Sequence, residues 1–519
     1  MDLGKVARPL AGFILFFSLS MLVPLVVSLG EESAYATTQA FASGMVTALV
    51  VAILLWLGGR KSNSDLYRRE GLTVVGLAWV FAGALSAIPF EWSGAIPSGV
   101  DAFFESISGL TTTGATVLGT QNTDIESLPQ SVLLWRSMLQ WMGGMGIILV
   151  FIVLLPAMGV TGSRLLSSEQ VGVSDESGRP RMIERARALF FVYLLLTLAA
   201  GMGYWLVGMS PFDALCHAFT TLASGGFSTN NVSIGGFQNV GVELVAIVFM
   251  FLAGCNFLLL AYAFRRGGKT AGALYSAEFK VYVGLTVAII GGMTLSLWAW
   301  GQSVDDEVLG VTQHYGDFVT CVRHAAFQTV SILTSTGYST TNFVEWPKTT
   351  LYLLAVCMFI GGCTGSTAGG FKVLRILVCA KLVGAALRHF VRPRTVETFR
   401  VGPDPIPDRV VIAIMALLLL WLATVVAGTL VLSLDPRLDL VAAFTASLSM
   451  MGCIGPAFGA VSQNADGVFE HVGQIDIGPY GGYGEFHASA KLFMSMQMVL
   501  GRLEILAPFA LLTPGFWRR

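Results

Sequence analysis

Four short stretches hold the residue types in this sequence that are best suited to bind an ion. Each is rich in glycine and other small residues, and each interrupts apolar sequence. They read SGLTTTGATV at Ser108–Val117, ASGGFST at Ala223–Thr229, LTSTGYST at Leu333–Thr340 and SMMGCIGPAFG at Ser449–Gly459. One glycine in each recurs at a regular interval, 112, 111 and 118 residues apart: Gly114, Gly226, Gly337 and Gly455. Such a period is typical of a repeated subdomain, so we interpret the chain as four related units.

A cation that crosses a membrane must exchange its hydration shell for oxygen ligands, and rings of main-chain carbonyls provide them. Glycine suits such a ring because it leaves no side chain to block close approach. The alternative is that these glycines form tight turns or small-residue helix contacts. Four stretches in register favour the ring. Its candidate ion-binding residues are Thr112, Thr113, Gly114, Ser224, Gly225, Gly226, Ser335, Thr336, Gly337, Cys453, Ile454 and Gly455.

The composition indicates a membrane protein with many spans. The 519 residues are 54% hydrophobic and only 12% charged, with a mean hydropathy of +0.70, whereas soluble domains average about 25% charged residues. The net charge of -1 gives no indication of nucleic-acid binding. The seven cysteines form no CxxC pair and mostly lie in apolar runs, so we predict free, packed thiols.

Ten apolar runs approach the roughly 20 residues that a helix needs to cross the hydrocarbon core. The first two precede the repeats, and the other eight form pairs that flank the four stretches. The predicted spans are Leu10–Leu29, Gln39–Leu57, Leu72–Pro89, Ser131–Leu155, Ala188–Met209, Val242–Phe264, Val281–Trp300, Leu351–Val383, Val410–Leu434 and Ala490–Leu512. A short helical lead-in is predicted before each stretch, at Asp101–Ser108, Asp213–Thr220, His324–Ser331 and Ala442–Ser449.

Non-helical backbone survives at membrane depth only where protein encloses it or where it lines a cavity. The predicted fold is therefore an all-α polytopic membrane protein with two N-terminal helices and four helix/pore-loop/helix units around a single pseudo-fourfold pore. The boundaries are 1–70 for the N-terminal helices and 71–160, 161–270, 271–400 and 401–519 for the units. Arginine and lysine fall on one face, which predicts cytoplasmic termini and pore loops that enter from the outside.

With these motifs the chain resembles the Trk/Ktr/HKT superfamily of potassium and sodium transporters, most closely the bacterial Trk-type potassium-translocating membrane subunit. Further matching motifs are QWMGGMGIILV at Gln140–Val150, IGGCTGSTAGGFKVLRI at Ile360–Ile376, GRLEI at Gly501–Ile505 and TPGFWR at Thr513–Arg518. The resemblance implies potassium uptake across the bacterial cytoplasmic membrane, with a potassium ion in the filter and no covalent cofactor. It also implies a homodimer in membrane lipid and a separate cytoplasmic ring of nucleotide-binding regulatory subunits.

The resemblance further implies a gate below the filter, in the second helix of the third unit. Five glycines within ten residues there cannot sustain a straight helix, and a lysine follows them: Gly361, Gly362, Gly365, Gly369, Gly370 and Lys372. Arg502 lies inside the last span, and the resemblance places it in the pore, where it would oppose cation flow. The alternatives are a packing kink for the glycines, and a structural ion pair or a snorkelling side chain for Arg502.

The fourth stretch departs from the family pattern. Met450 and Met451 stand where the first and third stretches carry hydroxyls, so its ion ligands are expected to come from the main chain alone. The outer segment Gln463–His487 is long, and it is either a cap over the mouth or an insertion. In plant relatives a serine at the first glycine position accompanies sodium preference, so four glycines favour potassium.

Two other functions stay open at this point. A sodium-selective or poorly selective transporter would use the same fold, and the sequence does not separate a channel from a symporter. A membrane-embedded enzyme would need converging histidine, aspartate, cysteine or glutamate side chains, and the sequence shows no such set. Lys491 is interpreted as a snorkelling anchor. Three histidines without metal-ligand spacing are interpreted as structural, namely His217, His324 and His487.

Overall fold

The computed structural model describes residues 3–62, 68–119, 123–158, 178–265, 276–306, 308–393, 400–401, 404–463, 469–471, 474–505, 508–509 and 513–514. Parts of the predicted segments Gln463–His487 and Ala490–Leu512, and most of the TPGFWR motif, lie outside these ranges. The described residues are mostly helical. Among them, six helices are long and apolar enough to cross a membrane, which is the architecture of a multi-pass membrane protein.

Two antiparallel spans begin the chain. The first is interrupted, with α1 (Leu3–Ser20) and α2 (Leu22–Ser28) separated at Met21. Pro24 explains the interruption, because proline donates no hydrogen bond and its ring clashes with the carbonyl four residues earlier. The second span, α3 (Ala34–Gly59), returns along α1. Between them Glu31 accepts hydrogen bonds from the N–H and hydroxyl of Ser131, at 2.5 and 2.9 Å, which fastens this pair to the first unit.

Each of the four units then contains a long helix, a short helix that leads into a glycine-bearing stretch, and a returning helix. The first unit consists of α4 (Arg68–Trp92), α5 (Gly99–Leu110) and α6 (Gln130–Met158). The second consists of α7 (Gly178–Leu206), α8 (Pro211–Leu222), α9 (Val240–Ala253) and α10 (Phe257–Arg265).

The third and fourth units add short antiparallel strand pairs, so the fold is not purely α-helical. The third consists of α11 (Ala277–Trp300), a hairpin of β1 (Ser303–Asp306) and β2 (Val311–His314), α12 (Phe318–Leu333), α13 (Lys348–Ile360) and α14 (Val373–Val391). The pair β3 (Arg400–Val401) and β4 (Asp404–Pro405) precedes the fourth. That unit consists of α15 (Asp408–Leu432), α16 (Leu440–Gly452), the pair β5 (Val461–Gln463) and β6 (Phe469–His471), and α17 (Ala488–Arg502).

Four of the ten predicted spans are not continuous helices, and the first of them is the span divided at Met21. The sixth is broken at residues 254–256, between α9 and α10, and the eighth is broken between α13 and α14. The last one ends at Arg502, because Leu503–Ile505 form a turn in which Glu504 and Ile505 have φ values of 58° and 44°. The prediction of one continuous helix over Ala490–Leu512 was therefore wrong, and Glu504 lies in the turn after the helix rather than on one of its faces.

Buried apolar side chains form three clusters that join the units in a closed arrangement. One joins the N-terminal helices and the first unit to residues of the fourth unit, including Met494 and Met498 of α17. A second lies mainly in the third and fourth units, and a third is centred on the second unit. Since α17 packs against α5, the fourth unit meets the first, and the arrangement of the four units closes.

Candidate functional site

The four glycine-bearing stretches meet in a closed ring of contacts. Each ring glycine packs against a carbonyl oxygen of the next stretch. The residue that carries this oxygen directly precedes the ring glycine of its own stretch. The facing pairs are Gly114 with Gly225, Gly226 with Thr336, Gly337 with Ile454, and Gly455 with Thr113. A Cβ atom at any of the first three glycines would overlap the facing oxygen, and one at Gly455 would lie 2.7 Å from it. Their φ values of 78°, 77°, 82° and 100° also favour glycine.

The short helices that lead into the ring all end in the same main-chain motif. The residue two positions before each ring glycine is left-handed, with φ of 53° to 55°: Thr112, Ser224, Ser335 and Cys453. The next residue donates its N–H to a carbonyl five residues back, as from Thr113 to Ser108 at 2.9 Å and from Ile454 to Ser449 at 3.1 Å. These bonds define a Schellman motif. Four helix C-termini, which carry partial negative charge, are thereby directed at the ring.

Two pairs of threonine hydroxyls next to the ring are bonded within their own stretch. The Oγ1 atoms of Thr111 and Thr113 are 2.8 Å apart in the first stretch, and those of Thr334 and Thr336 are 2.8 Å apart in the third. These contacts hold each hydroxyl against its own stretch. The oxygen atoms that all four stretches present at equivalent positions are therefore those of the main-chain carbonyls.

The fourth stretch keeps the repeated main chain but has different side chains. Cys453 occupies the left-handed position, and its Sγ atom lies 3.5 Å from the carbonyl oxygen of Met498. Met450 and Met451 lie in the last turn of α16, in register with Gly109 and Leu110 of the first unit. The prediction that these methionines stand where the first and third stretches carry hydroxyls was therefore wrong, since Gly452, Cys453 and Ile454 occupy those positions.

The predicted gate residues form a compact, non-helical loop between α13 and α14. Gly361, Gly365, Gly370 and Lys372 have φ values of 77°, 78°, 76° and 84°. The loop closes on itself, because the Lys372 N–H donates to the carbonyl of Ile360 at 2.7 Å. A Cβ atom on Gly361 would overlap the Gly369 carbonyl oxygen, so only glycine allows this closure.

This loop is bonded directly to three of the four stretches. The hydroxyl of Thr367 lies 2.9 Å from that of Ser224, in the second stretch. The N–H of Gly369 donates to the hydroxyl of Ser335 in the third, and the N–H of Gly370 donates to the carbonyl of Gly452 at 2.9 Å in the fourth. The loop is therefore held against the side of the ring from which the short helices approach it.

Two neighbouring segments of the second and third units also bond to the loop. Glu278 of α11 accepts a hydrogen bond from the Thr364 N–H at 2.6 Å. The carbonyl of Gly254, in the break between α9 and α10, accepts one from the Cys363 N–H at 2.9 Å. The break in the sixth predicted span thus exposes the Gly254 carbonyl, which is then able to accept a hydrogen bond from the loop.

Arg502 lies beneath the ring and contacts the loop. Its side chain is 4% exposed, and its guanidinium donates to the carbonyl of Thr367 at 2.8 Å and to that of Gly143 at 3.4 Å. Within the described residues its Nε atom has no hydrogen-bond partner. The side chain is therefore buried among carbonyl oxygens rather than snorkelling to the membrane surface.

The neighbouring charges of the same region are tied to one another. Glu504 forms an ion pair with Arg375 of α14, which connects the end of α17 to the helix that follows the loop. The ammonium group of Lys372 donates to the carbonyl of Ala368 inside the loop. Together with Arg502 these residues line a cavity of about 20 Å³ under the loop.

Comparison with known proteins gives the same architecture. The TrkH family, described as a cation transport protein, matches residues 37–513. The chain belongs to the TrkH family. The Trk system potassium uptake protein TrkH of Vibrio parahaemolyticus is 35% identical over 521 residues, and that of Escherichia coli K12 is 33% identical over 520, each covering both chains completely. The crystal structure of the Vibrio parahaemolyticus potassium transporter TrkH covers both chains completely, with a TM-score of 0.84 and 33% identity.

In this TrkH-family chain the cysteines and histidines agree with the sequence predictions, whereas Lys491 does not. All seven cysteines are free, as predicted. His217 and His324 are hydrogen-bonded inside the fold, and His487 caps α17. Lys491 is not a snorkelling anchor, because its side chain is 5% exposed and pairs with Asp101 of α5. No group of three histidine, cysteine, aspartate or glutamate side chains converges as a metal site among the residues that the structure describes.

A buried ion pair beside the ring was missed by sequence reasoning. Arg136 of α6 pairs with Glu105 of α5, with both side chains at most 2% exposed and Nη2 2.8 Å from Oε1. The arginine also donates to the carbonyl of Ser228 at 3.2 Å, and the carboxylate accepts the N–H of Val117 at 3.0 Å. The pair therefore joins the first stretch to the second. A charge inside an apolar run is the signal that could have identified it.

Gln140 is a second residue whose role sequence reasoning missed, although it begins the QWMGGMGIILV motif. Its side-chain amide donates to the carbonyl of Gly225 at 2.7 Å and accepts the N–H of Phe227 at 3.1 Å. Both bonds cross from the first unit to the second. Gln140 therefore fixes the main chain on either side of Gly226, the ring glycine of the second stretch.

Proposed function

We propose that this protein takes up potassium across the bacterial inner membrane, through a selectivity filter formed by the carbonyl ring at Gly114, Gly226, Gly337 and Gly455. The observation that carries the proposal is the closed sequence of contacts in which each ring glycine packs on a carbonyl of the next stretch. The relatives support it, since they are named as potassium uptake proteins and match along the whole chain.

The ring geometry suits a cation that sheds its water. Four equivalent main-chain carbonyls can replace hydration oxygens at little net cost. The ends of four helices add partial negative charge on the same side. Each ring glycine lacks a side chain, so the carbonyls can approach one another closely. Potassium is the transported substrate in this mechanism, and the twelve candidate residues of the four stretches supply its ligands.

The loop from Gly361 to Gly370 is the proposed gate, with Lys372 and Arg502 as its charged partners. The loop bonds to Ser224, Ser335 and Gly452 directly under the ring. Arg502 adds a positive charge at the same level, bonded to Thr367. Cation flow then requires the loop to leave these contacts and the arginine to withdraw from the path, since a buried cation repels another.

The filter assignment is tested by Gly114→Ser. The added side chain overlaps the Gly225 carbonyl oxygen, so the ring must deform. The matched control is Gly94→Ser, at a glycine with φ of 80° and open space around it. In proteoliposomes we expect Gly114→Ser to lower the ratio of potassium to sodium flux, while Gly94→Ser leaves it unchanged. An unchanged ratio in a folded Gly114→Ser protein would refute the filter assignment.

A sodium-selective or poorly selective transporter is the second candidate, and the same ring could serve it. Growth of a potassium-uptake-deficient bacterial host at low potassium, with and without added sodium, separates the two. Rescue at low potassium that sodium does not inhibit supports potassium uptake. Absence of rescue, with sodium flux in proteoliposomes, supports the alternative.

The partners are also part of this proposal. We infer a homodimer in membrane lipid, cytoplasmic termini, and a separate cytoplasmic nucleotide-binding ring that acts on the gate. The naming of relatives as parts of a Trk system supports the association with further subunits. Cross-linking in native membranes tests the dimer, and accessibility of a cysteine placed at the N-terminus tests the topology.

A further inference from the structure

The described part of the outer segment, from residue 474 onward, lies over the ring. A cavity of about 60 Å³ there is lined by all four ring glycines and also by Tyr480 and Tyr483. Two hydrogen bonds fasten the segment to the third and fourth units. Tyr480 donates its hydroxyl to Asp306 of the β1–β2 hairpin at 2.9 Å, and the Ala457 N–H donates to the carbonyl of Ile477 at 3.2 Å.

Tyr483 bonds to the ring itself. Its hydroxyl donates to the carbonyl of Gly455 at 2.9 Å, and its N–H donates to the carbonyl of Thr116 in the first stretch at 2.8 Å. The aromatic ring packs between Phe104 and Phe486, with centroid distances of 5.8 and 5.3 Å. One residue of the outer segment therefore connects the fourth stretch to the first.

This connection falls at the junction where the ring closes most loosely. A Cβ atom at Gly455 would lie 2.7 Å from the Thr113 oxygen, whereas the other three ring glycines meet their facing oxygens more closely. Gly455 also has the largest φ of the four, at 100°. A carbonyl oxygen has two lone pairs, so the Gly455 carbonyl can accept the phenol and still present the second pair elsewhere. The hydrogen bond therefore limits the directions in which this carbonyl can point.

The hydroxyl of Tyr483 is suited to remain a donor. The side chain is 3% exposed, and burial raises the pKa of this phenol above its usual value. It therefore keeps its proton throughout the physiological range, and the bond to Gly455 does not depend on pH.

We propose that Tyr483 is a positioning residue for ion selectivity, which fixes the Gly455 carbonyl and braces the fourth stretch against the first. This inference rests on the proposed function of the ring as a filter. The outer segment would then support the filter directly, rather than act only as a cap or an insertion.

The test is Tyr483→Phe in the full-length protein, reconstituted in liposomes. Phenylalanine keeps the packing against Phe104 and Phe486 and removes only the hydroxyl, which donates to Gly455. We expect the potassium-to-sodium permeability ratio to fall roughly threefold to tenfold, the range that a single hydrogen bond contributes. The matched control is Tyr315→Phe. That tyrosine is equally buried near the outer end of the third unit, and its hydroxyl accepts the Trp346 indole N–H at 2.8 Å.

The outcomes separate this inference from the filter proposal. A lowered ratio in Tyr483→Phe, with Tyr315→Phe unchanged, supports the positioning role. An unchanged ratio in Tyr483→Phe, when Gly114→Ser does lower it, overturns the inference and leaves the filter intact. An equal fall in Tyr315→Phe also overturns it, because the effect would then be general. If Tyr483→Phe does not fold, Phe486→Leu is measured instead, because it loosens the packing that holds the Tyr483 ring against Gly455. A ratio that Phe486→Leu leaves unchanged overturns the inference.

Discussion

Replacing Glu105 with glutamine should strongly destabilise the fold around the first two ring stretches. The carboxylate lies 2.8 Å from the Arg136 guanidinium, with both side chains at most 2% exposed. It also accepts hydrogen bonds from the Thr116 hydroxyl at 2.9 Å and the Val117 N–H at 3.0 Å. Because all of these partners are donors, the NH₂ group of a glutamine would face a donor in either orientation, and Arg136 would lose its counter-charge.

The magnitude follows from the burial of the pair. Removing one member of a buried ion pair typically costs about 3–5 kcal/mol. Arg136 retains its bond to the Ser228 carbonyl at 3.2 Å and its position 4.2 Å from the centre of the Phe227 ring. These contacts continue to stabilise the charge, so we expect the lower end of that range, about 3 kcal/mol. That value corresponds to roughly a 100-fold change in the ratio of folded to unfolded protein.

The assay is a double-mutant cycle on the free energy of unfolding, measured by denaturant titration in one detergent. It compares Glu105→Gln, Arg136→Met and the double variant, with the exposed Glu32→Gln as the control. The double variant should be less destabilised than the sum of the single variants by at least about 1 kcal/mol, since it leaves no unpaired charge. Strictly additive effects, or a Glu105→Gln cost below about 1 kcal/mol, would refute the reasoning.

Two further predictions concern the buried cations Arg502 and Lys491. Arg502→Ala should raise potassium flux through the folded protein, since it removes a positive charge from beneath the ring, and Arg502→Lys should raise the flux less. A potassium flux in proteoliposomes that Arg502→Ala leaves unchanged or reduces would contradict the barrier role. Lys491→Met should lower the free energy of unfolding by about 1–3 kcal/mol, because it leaves the 23%-exposed Asp101 carboxylate unpaired. Adding Asp101→Asn should restore part of that loss, and a double variant as unstable as the sum of the two single variants would argue against the pair.

The ring glycines could be found from sequence because their requirement is local. A left-handed backbone that packs on a neighbouring carbonyl admits little besides glycine, so Gly114 and Gly226 recur at the same point of each unit. The short helices were also predicted, although their bounds were too narrow. The third one was expected at His324–Ser331 and runs over Phe318–Leu333. Its cap, Asp317, accepts the N–H of Thr320 at 2.9 Å, which is a signal the sequence already contained.

The supporting side chains could not be found in the same way, because their partners are distant in sequence. Arg136 sits in an apolar run long enough to be interpreted simply as a span, and its role depends on Glu105, 31 residues earlier. Tyr483 reaches a carbonyl 28 residues away. The end of α17 was missed for a related reason. Glu504 leaves the helix to pair with Arg375, 129 residues away, and periodicity within one segment does not reveal that.

The ring thus repeats in its main chain but not in its support. The second stretch is held by Gln140 from the first unit, the first by Glu105 from its own short helix, and the fourth by Tyr483 from an outer segment. Gln140 and Tyr483 donate to carbonyls, whereas Glu105 accepts a main-chain N–H, so three unrelated side chains hold main chain that the repeat places alike. Since unequal supports yield unequal stiffness, we predict that the four positions of the proposed filter contribute unequally to selectivity. The junction of Gly455 with the first stretch has the loosest contact, so we expect the proposed discrimination there to depend most on Tyr483.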